Sequence, residues 1–245
     1  MRTALLAPLI ILTMLFIAAA CLGQRIACGQ EEDIVSTIPW SDGERAEYVL
    51  LDRGDGQECG RGTLSVVDRD GQYELTLSFE SEGDTDEAVV LVDAETLKPV
   101  TVRRERFIDG ERALIEGEYD AVEEVLTIVE ISEDDEERIV PLRLEENYYD
   151  NESSLFLWRT LPFSEGYQAT YRSVLASQNA QHDVSLIVIG IEQVTVPAGT
   201  FEAWRVEINA DSRRQIAWFA DTPERWLVQY DNSVQIFQLI GFQTE

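Results

Sequence analysis

Apolar and polar residues alternate through most of the chain after residue 45. The run Tyr73–Phe79 shows the pattern most clearly, with an apolar side chain at every second position. Successive side chains of a β-strand point to opposite faces, so this alternation predicts a strand with one buried face. The preceding Asp68–Gly71 contains an Asp-Gly pair, which tolerates the positive φ angles of a tight hairpin turn. The pattern therefore predicts consecutive antiparallel hairpins.

Similar segments recur along the chain as far as the C-terminus. Strands are predicted at residues 47–51, 62–67, 73–79, 88–92, 99–103, 113–119, 125–131, 139–144, 168–175, 184–191, 203–208, 216–220, 226–230 and 234–240. Segment 184–191 is apolar at nearly every position, which predicts burial on both faces. Residues 80–87 are predicted to form an acidic turn. The run 133–137 is predicted to be a solvated loop, because five adjacent carboxylates repel one another.

One helix is predicted, at residues 151–160. Asn151 can cap its first turn, Glu152 suits the positive end of the helix dipole, and Pro162 ends it. Elsewhere the strand pattern prevails.

The chain on either side of this helix has a similar plan. Segments 90–102 and 218–230 both follow the order strand, acidic turn, strand. The predicted fold is therefore mainly β, a curved antiparallel sheet or half-barrel of two duplicated meanders. Its halves would be residues 43–146 and 163–245, joined by a helical segment at 147–162.

The first residues of the chain resemble a bacterial lipoprotein signal. Arg2 supplies a positive charge, an apolar run follows, and Ala18–Ala20 lead directly into Cys21. Ala18 stands where Leu is usual. The resemblance implies a signal peptide at residues 1–20, a lipidated Cys21, a flexible tether at 21–42, and an extracytoplasmic protein held at a membrane of the cell envelope. An ordinary cleaved signal, which would make the protein secreted, and an uncleaved membrane helix remain alternatives.

The charge of the chain limits its partners. There are 47 acidic residues against 19 basic ones, a formal net charge of −28, and Lys98 is the only lysine. Such a charge disfavours binding to nucleic acid or, by charge, to an anionic membrane surface.

Two cysteines remain once Cys21 is assigned to lipid. Cys28 and Cys59 are an even number in a chain bound for an oxidising space, which favours a disulfide. The bridge would close a loop of about 32 residues and contribute roughly 3–4 kcal/mol. Two free thiols are the alternative.

No catalytic motif is present. The chain contains no nucleophile elbow, phosphate loop, HExxH or CxxC sequence. The only histidine is His182, in a polar stretch that predicts a turn, and it is followed by Asp183. Zinc would need more His or Cys residues, and the acidic stretch at 80–87 lacks the spacing of a calcium-binding EF-hand. We therefore predict no catalytic residue, no metal and no cofactor.

One stretch of sequence resembles a known family. Val194–Val206, which contains Val-Pro-Ala-Gly-Thr-Phe, and the later Trp218–Ala220 resemble bacterial envelope proteins of the DUF3108-like group, whose function is unknown. Leu161-Pro162 and Gly166-Tyr167 fit as well. The resemblance implies a fold like that of lipoprotein carriers, in which a curved sheet cups a helix and an apolar cavity. It transfers no functional residues, because Pro and Gly at these positions make a structural turn.

These observations together predict a non-enzymatic envelope lipoprotein that binds an apolar ligand or serves as an interaction module for an envelope protein. The residues predicted to line the ligand site are Leu186, Ile189, Trp204, Trp218 and Phe237. The alternatives are an assembly partner with a filled core and a hydrolase of envelope polysaccharide. A cavity of several hundred Å³ would favour a ligand, an exposed apolar patch a partner, and two carboxylates about 5–9 Å apart a hydrolase.

Overall fold

The computed structural model describes residues 34–132, 136–211 and 213–244. The predicted signal peptide, Cys21, Cys28 and most of the tether lie outside the described residues, as do residues 133–135 of the acidic run.

The described chain consists almost entirely of strands. They are β1 (Arg45–Asp52), β2 (Glu58–Asp68), β3 (Gln72–Ser81), β4 (Asp84–Asp93), β5 (Pro99–Ile108), β6 (Glu111–Asp120), β7 (Val125–Ile131), β8 (Glu137–Arg143), β9 (Tyr148–Asp150), β10 (Gln168–Leu175), β11 (Ala180–Val196), β12 (Gly199–Ala210), β13 (Arg213–Ala220), β14 (Leu227–Asp231) and β15 (Gln235–Gln243). Between β9 and β10 lies the helical segment, residues 151–160. It consists of a 3-10 turn (Asn151–Ser153), α1 (Ser154–Leu157) and a second 3-10 turn (Trp158–Thr160), and a further 3-10 turn spans Ala176–Gln178.

All of these strands belong to one curved sheet. Strands β1 to β8 pair antiparallel in sequence order, as do β10 to β15, and β1 pairs antiparallel with β15 to join the two meanders. The short β9 runs parallel to β10 at one edge, and β8 forms the other edge. The predicted mainly-β fold, a curved antiparallel sheet with one short helix between its halves, is confirmed. The duplication of one half from the other stays a prediction.

The concave face of the sheet and the helical segment share one hydrophobic core. Val66 and Val90 of the strands are fully buried, as are Phe156 and Leu157 of the helical segment. Burying each such side chain contributes roughly 1.5–3 kcal/mol. The apolar side chains of the alternating strands are therefore buried inside the curve of the sheet, where they pack with the helical segment.

A buried ion pair fixes the helical segment to the start of the sheet. Arg159 pairs with Glu44, and both side chains are 3% exposed. The Arg159 guanidinium also donates to the carbonyl oxygens of Glu224, at 2.6 Å, and Arg225, at 3.1 Å. A buried ion pair needs such additional hydrogen bonds to offset its desolvation. These contacts hold the segment against both meanders.

Strand β11 corrects one prediction. Burial on both faces was expected of segment 184–191, but within it only Val184, Leu186 and Val188 are buried, whereas Ile189 and Ile191 are 38% and 45% exposed. The helical segment covers only the concave face, and no second layer of the described residues covers the convex one. The expectation was wrong because an apolar run does not reveal how many layers pack on a sheet.

The cap of the helical segment also differs from the prediction. Asp150, not Asn151, has the extended backbone of an N-cap residue, and its carboxylate accepts a hydrogen bond from the Glu152 N–H at 2.7 Å. Asn151 lies one position too late and forms the first residue of the 3-10 turn.

The acidic turn predicted at residues 80–87 is shorter than expected. Strands β3 and β4 continue through most of it and leave only Glu82 and Gly83, both with positive φ, as the turn. A two-residue hairpin loop matches the twist of its strands, so the pairing extends into the charged stretch.

Candidate functional site

A cleft of about 600 Å³ opens between the helical segment and the concave face of the sheet. Its apolar part includes Leu77, Phe79, Leu155, Trp158, Val184 and Phe237. Its polar part includes Arg104, Glu152, His182, Asp211, Arg213 and Asn232. The turns β12–β13 and β14–β15 border the cleft, and we call this end of the sheet the mouth. The volume lies within the range of small-molecule sites.

Arg104 and Glu152 lie on one side of the cleft, and Asp86 of the neighbouring strand holds Arg104 in place. Arg104 on β5 binds the Asp86 carboxylate through two hydrogen bonds, of 2.8 and 2.6 Å, and the Glu152 carboxylate at 2.8 Å. Because the guanidinium is planar, it can hold two carboxylates at once without leaving either unpaired. The arrangement ties the first turn of the helical segment to the wall of the sheet.

A titratable group lies beneath this ion pair. Asp150 is 1% exposed, and its carboxylate accepts a hydrogen bond of 2.5 Å from the Tyr119 hydroxyl. Burial, and after it the neighbouring Glu152 carboxylate, raise the pKa of Asp150 to about 7. Hydrogen bonds from Tyr119 and the Glu152 N–H and the charge of Arg104 lower this pKa but only partly offset the rise. Asp150 can therefore gain or lose a proton near neutral pH.

The only histidine of the chain also faces the cleft. His182 belongs to β11 rather than to a turn, and its Nδ1 lies 2.6 Å from Asp211 Oδ2. His182 lies two residues before the buried Val184 and therefore on the same face of β11. This alternation was the signal in the sequence that could have placed His182 on a strand. Asp183 pairs instead with Arg172, at 2.7 Å. The carboxylate beside His182 is therefore not the one that is adjacent in the sequence.

Ser173 is the partner of His182 across the β10–β11 pair, and it also lines the cleft. Asp211 in the β12–β13 turn, His182 on β11 and Ser173 on β10 thus follow one another along this side of the cleft. The Ser173 hydroxyl, however, donates to Asn151 Oδ1 at 3.3 Å. The described contacts of Ser173 do not include a hydrogen bond to His182.

The five residues predicted to line a ligand site do not meet in one place. Leu186 and Phe237 are buried on the concave face, and of the five only Phe237 lines the cleft. Ile189 and Trp218 lie on the opposite face of their strands from the buried neighbours, and the Trp218 indole donates to Glu192. Trp204 stacks on Phe163 and donates to Asp221 at 2.9 Å, beside a separate hollow of about 320 Å³.

A further hollow of about 570 Å³ lies along the β1–β2 and β3–β4 turns, beside Cys59. Its lining includes no large apolar or aromatic side chain, so an apolar group would bury little there. Cys59 is half-buried and has no disulfide partner among the described residues. Because Cys28 lies outside them, the pairing of Cys28 with Cys59 stays a prediction.

Within residues 34–132, 136–211 and 213–244, no group of three or more His, Cys, Asp or Glu side chains could hold a metal ion. Within the same residues, no helix has the length and apolarity needed to cross a membrane.

The fold and the cleft define a class of protein: a single curved antiparallel sheet that cups a short helical segment and an amphipathic cleft. The chain belongs to the family described as "Protein of unknown function (DUF3108)", whose sequence profile matches residues 45–236. No curated protein is significantly similar to the sequence.

Two solved structures are similar to this one. The first is a beta-barrel-like protein of the domain of unknown function DUF1849 from Brucella abortus, with 14% sequence identity and a TM-score of 0.56, over 86% of this chain and 99% of that one. The second is a protein with a YmcC-like fold from Bacteroides fragilis, with 13% identity and a TM-score of 0.33, over 86% of this chain and 100% of that one. The first of these likenesses supports the fold.

Proposed function

We propose that this protein binds an amphipathic small molecule in the cleft and does so without catalysis. The observation that carries the proposal is the cleft itself, about 600 Å³ bounded by aromatic and aliphatic side chains on the inside and charged side chains at the mouth. An assembly partner with a filled core would not need this space.

The lining suits a molecule with one apolar and one polar end. Trp158 is 3% exposed and Phe237 is 4% exposed, so the inner end of the cleft is shielded from water. Each CH₂ group that moves from water into such surroundings stabilises the complex by about 0.8 kcal/mol. The polar end of the ligand would stay near Asp211 and Arg213, the charged residues at the β12–β13 end of the cleft.

We further propose that the protein works outside the cytoplasm, anchored through lipid on Cys21. The signal-like residues 1–20 support this location, and cleavage without lipidation would instead give a secreted protein. The N–H groups of Ser36 and Thr37 bind the Thr160 carbonyl, at the end of the helical segment away from Asn151 and Glu152. A tether attached there would leave the cleft open.

One observation favours a second function, a hydrolase. Asp211, His182 and Ser173 are arranged in the order that a serine hydrolase uses, with His in the middle. We favour binding because the Ser173 hydroxyl is engaged by Asn151. A fluorophosphonate probe, which labels activated serines, decides between the two: labelling that is lost in Ser173→Ala would establish the hydrolase and contradict our proposal.

The binding proposal is tested with a neutral apolar fluorophore, N-phenyl-1-naphthylamine, and the full-length protein. Its fluorescence should rise on binding to the protein and should not rise with Ala210→Trp, because Ala210 lines the cleft. Asn209→Trp is the matched control, since Asn209 is exposed on the other face of the same strand. Equal binding by both variants, or no binding by the wild-type protein, would refute the proposal.

A further inference from the structure

The arginines of the described residues are almost all paired with carboxylates. Thirteen of them form ion pairs, as expected in a chain with a net charge of −28. Arg225 instead donates to the carbonyl oxygens of Arg159 and Leu161. Only Arg106 and Arg213 have no partner among the residues that the structure describes. Two unpaired arginines are conspicuous where acidic residues are so abundant.

Arg213 lies at the mouth of the cleft, and Arg106 lies on the strand that carries Arg104, towards the same end of the sheet. Arg213 lines the cleft directly, on the same face of β13 as Gln215. Arg106 is two residues beyond Arg104 on β5 and therefore shares its face, since side chains alternate along a strand. Val102 on the same face is buried in the core, so the order Val102, Arg104, Arg106 runs outwards. Arg213 thus lines the opening from β13, and Arg106 lies beyond Arg104 on the face of β5 from which Arg104 lines the cleft.

The carboxylates of the cleft are already engaged. Glu152 is bound by Arg104, which also holds Asp86, and Asp211 is bound by His182. Among the described charged residues that line the cleft, Arg213 is therefore the one left without an ion-pair partner. The repulsion of an anion by the distant acidic surface is screened beyond about 8 Å at physiological salt, whereas contacts inside a partly enclosed cleft are screened much less.

We propose that the cleft takes an anionic amphiphile, an alkyl chain that ends in a carboxylate or a phosphate monoester, with its head at Arg213 and Arg106. The inference rests on the proposed function and adds the chemistry of the ligand head. Arg is suited to this role because its planar fork donates two parallel hydrogen bonds to a carboxylate or a phosphate.

The test compares four ligands with one tail: dodecanoate, dodecyl phosphate, dodecanol and dodecylamine, each below its micelle concentration. Displacement of N-phenyl-1-naphthylamine from the full-length protein measures each Kd. At least one anion should bind about 10-fold or more tighter than dodecanol, as expected for a hydrogen bond to a charged group. Dodecylamine should bind no tighter than dodecanol. Longer tails should tighten binding about fourfold per CH₂ until the cleft is full.

Variants locate the head group. The double variant Arg106→Gln/Arg213→Gln should remove the preference for the anion and leave the Kd of dodecanol unchanged. Arg214→Gln is the control with one charge removed, because Arg214 is exposed on the other face of β13 and pairs with Glu207.

Each outcome has a distinct meaning. If dodecanol binds as tightly as both anions, or if Arg214→Gln weakens anion binding as much as the double variant, the inference is overturned while the proposed function stands. If none of the four ligands displaces the fluorophore, the proposed function falls as well. A preference for dodecanoate over dodecyl phosphate identifies a fatty-acid-like head, and the reverse identifies a phosphate.

Discussion

Replacing Asp150 by Asn should change how the stability of the protein depends on pH. Asp150 is fully buried, and its native pKa is about 7, against an ordinary value of 3.8. The native state therefore binds this proton more tightly than the unfolded state does. Stability is lost as the pH rises from about 4 to about 7, because the native state must then hold a buried carboxylate. The variant has no charge at this position and should not share that loss.

The size of the effect follows from the two pKa values. A difference of about three pKa units corresponds to about 4 kcal/mol of unfolding free energy, at 1.36 kcal/mol per unit. About 2.5 kcal/mol of this change falls between pH 5 and pH 8. The other carboxylates titrate in both proteins and cancel in the difference. Asn retains an oxygen that can accept the Glu152 N–H, so the cap is preserved.

Urea denaturation followed by tryptophan fluorescence at pH 5, 6.5 and 8 measures this difference. The lowest pH used stays above the sequence pI of about 4.2, because solubility falls near the pI. Between pH 5 and pH 8, the unfolding free energy of the variant should rise by about 2.5 kcal/mol relative to that of the wild-type protein. Asp183→Asn, at a side chain 84% exposed, is the control and should run parallel to the wild type. Parallel curves for Asp150→Asn as well would refute the argument that burial raises this pKa.

Two further predictions concern the buried ion pair and the N-terminal residues. Arg159→Met should lower the unfolding free energy by about 3–5 kcal/mol, because it leaves Glu44 charged, buried and unpaired. Adding Glu44→Gln should restore part of this loss in the same urea titration, and a double variant as unstable as the single one would contradict that reasoning. Mass spectrometry of the protein from its native membrane should find Cys21 acylated and Cys28 disulfide-bonded to Cys59. An unmodified N-terminus, or two free thiols under non-reducing conditions, would contradict the respective prediction.

Much of the fold could be predicted because its signals are local. The predicted strands at 125–131 and 168–175 have the same bounds in the structure, and the Asp70-Gly71 turn has both φ angles positive. A period-two pattern reports which side chains share a face, and an Asp-Gly pair reports a reversal, within a few residues. The helical segment was also located, although six of its ten residues form 3-10 turns and its cap lies one residue earlier.

The candidate site could not be predicted in the same way. Ile189 and Leu186 have similar side chains three positions apart, yet one is exposed and the other buried. His182 was assigned to a turn, whereas it lies on β11 with Asp211, distant in the sequence, beside its Nδ1. Alternation separates two faces of a strand but does not say which face curves inward or where the layer above it ends.

From its sequence alone, this protein is an acidic chain of antiparallel hairpins with one helical interruption and a signal-like start. Those properties depend on neighbours in sequence, through backbone geometry and side-chain alternation. Only the tertiary structure decided that Arg159 meets Glu44, 115 residues away, and that Arg104 meets Glu152. It also decided that Arg104 and Arg213, 109 residues apart in the sequence, line one cleft. Such contacts arise when distant strands close around the helical segment, and no local pattern records which of many similar charges will then face one another.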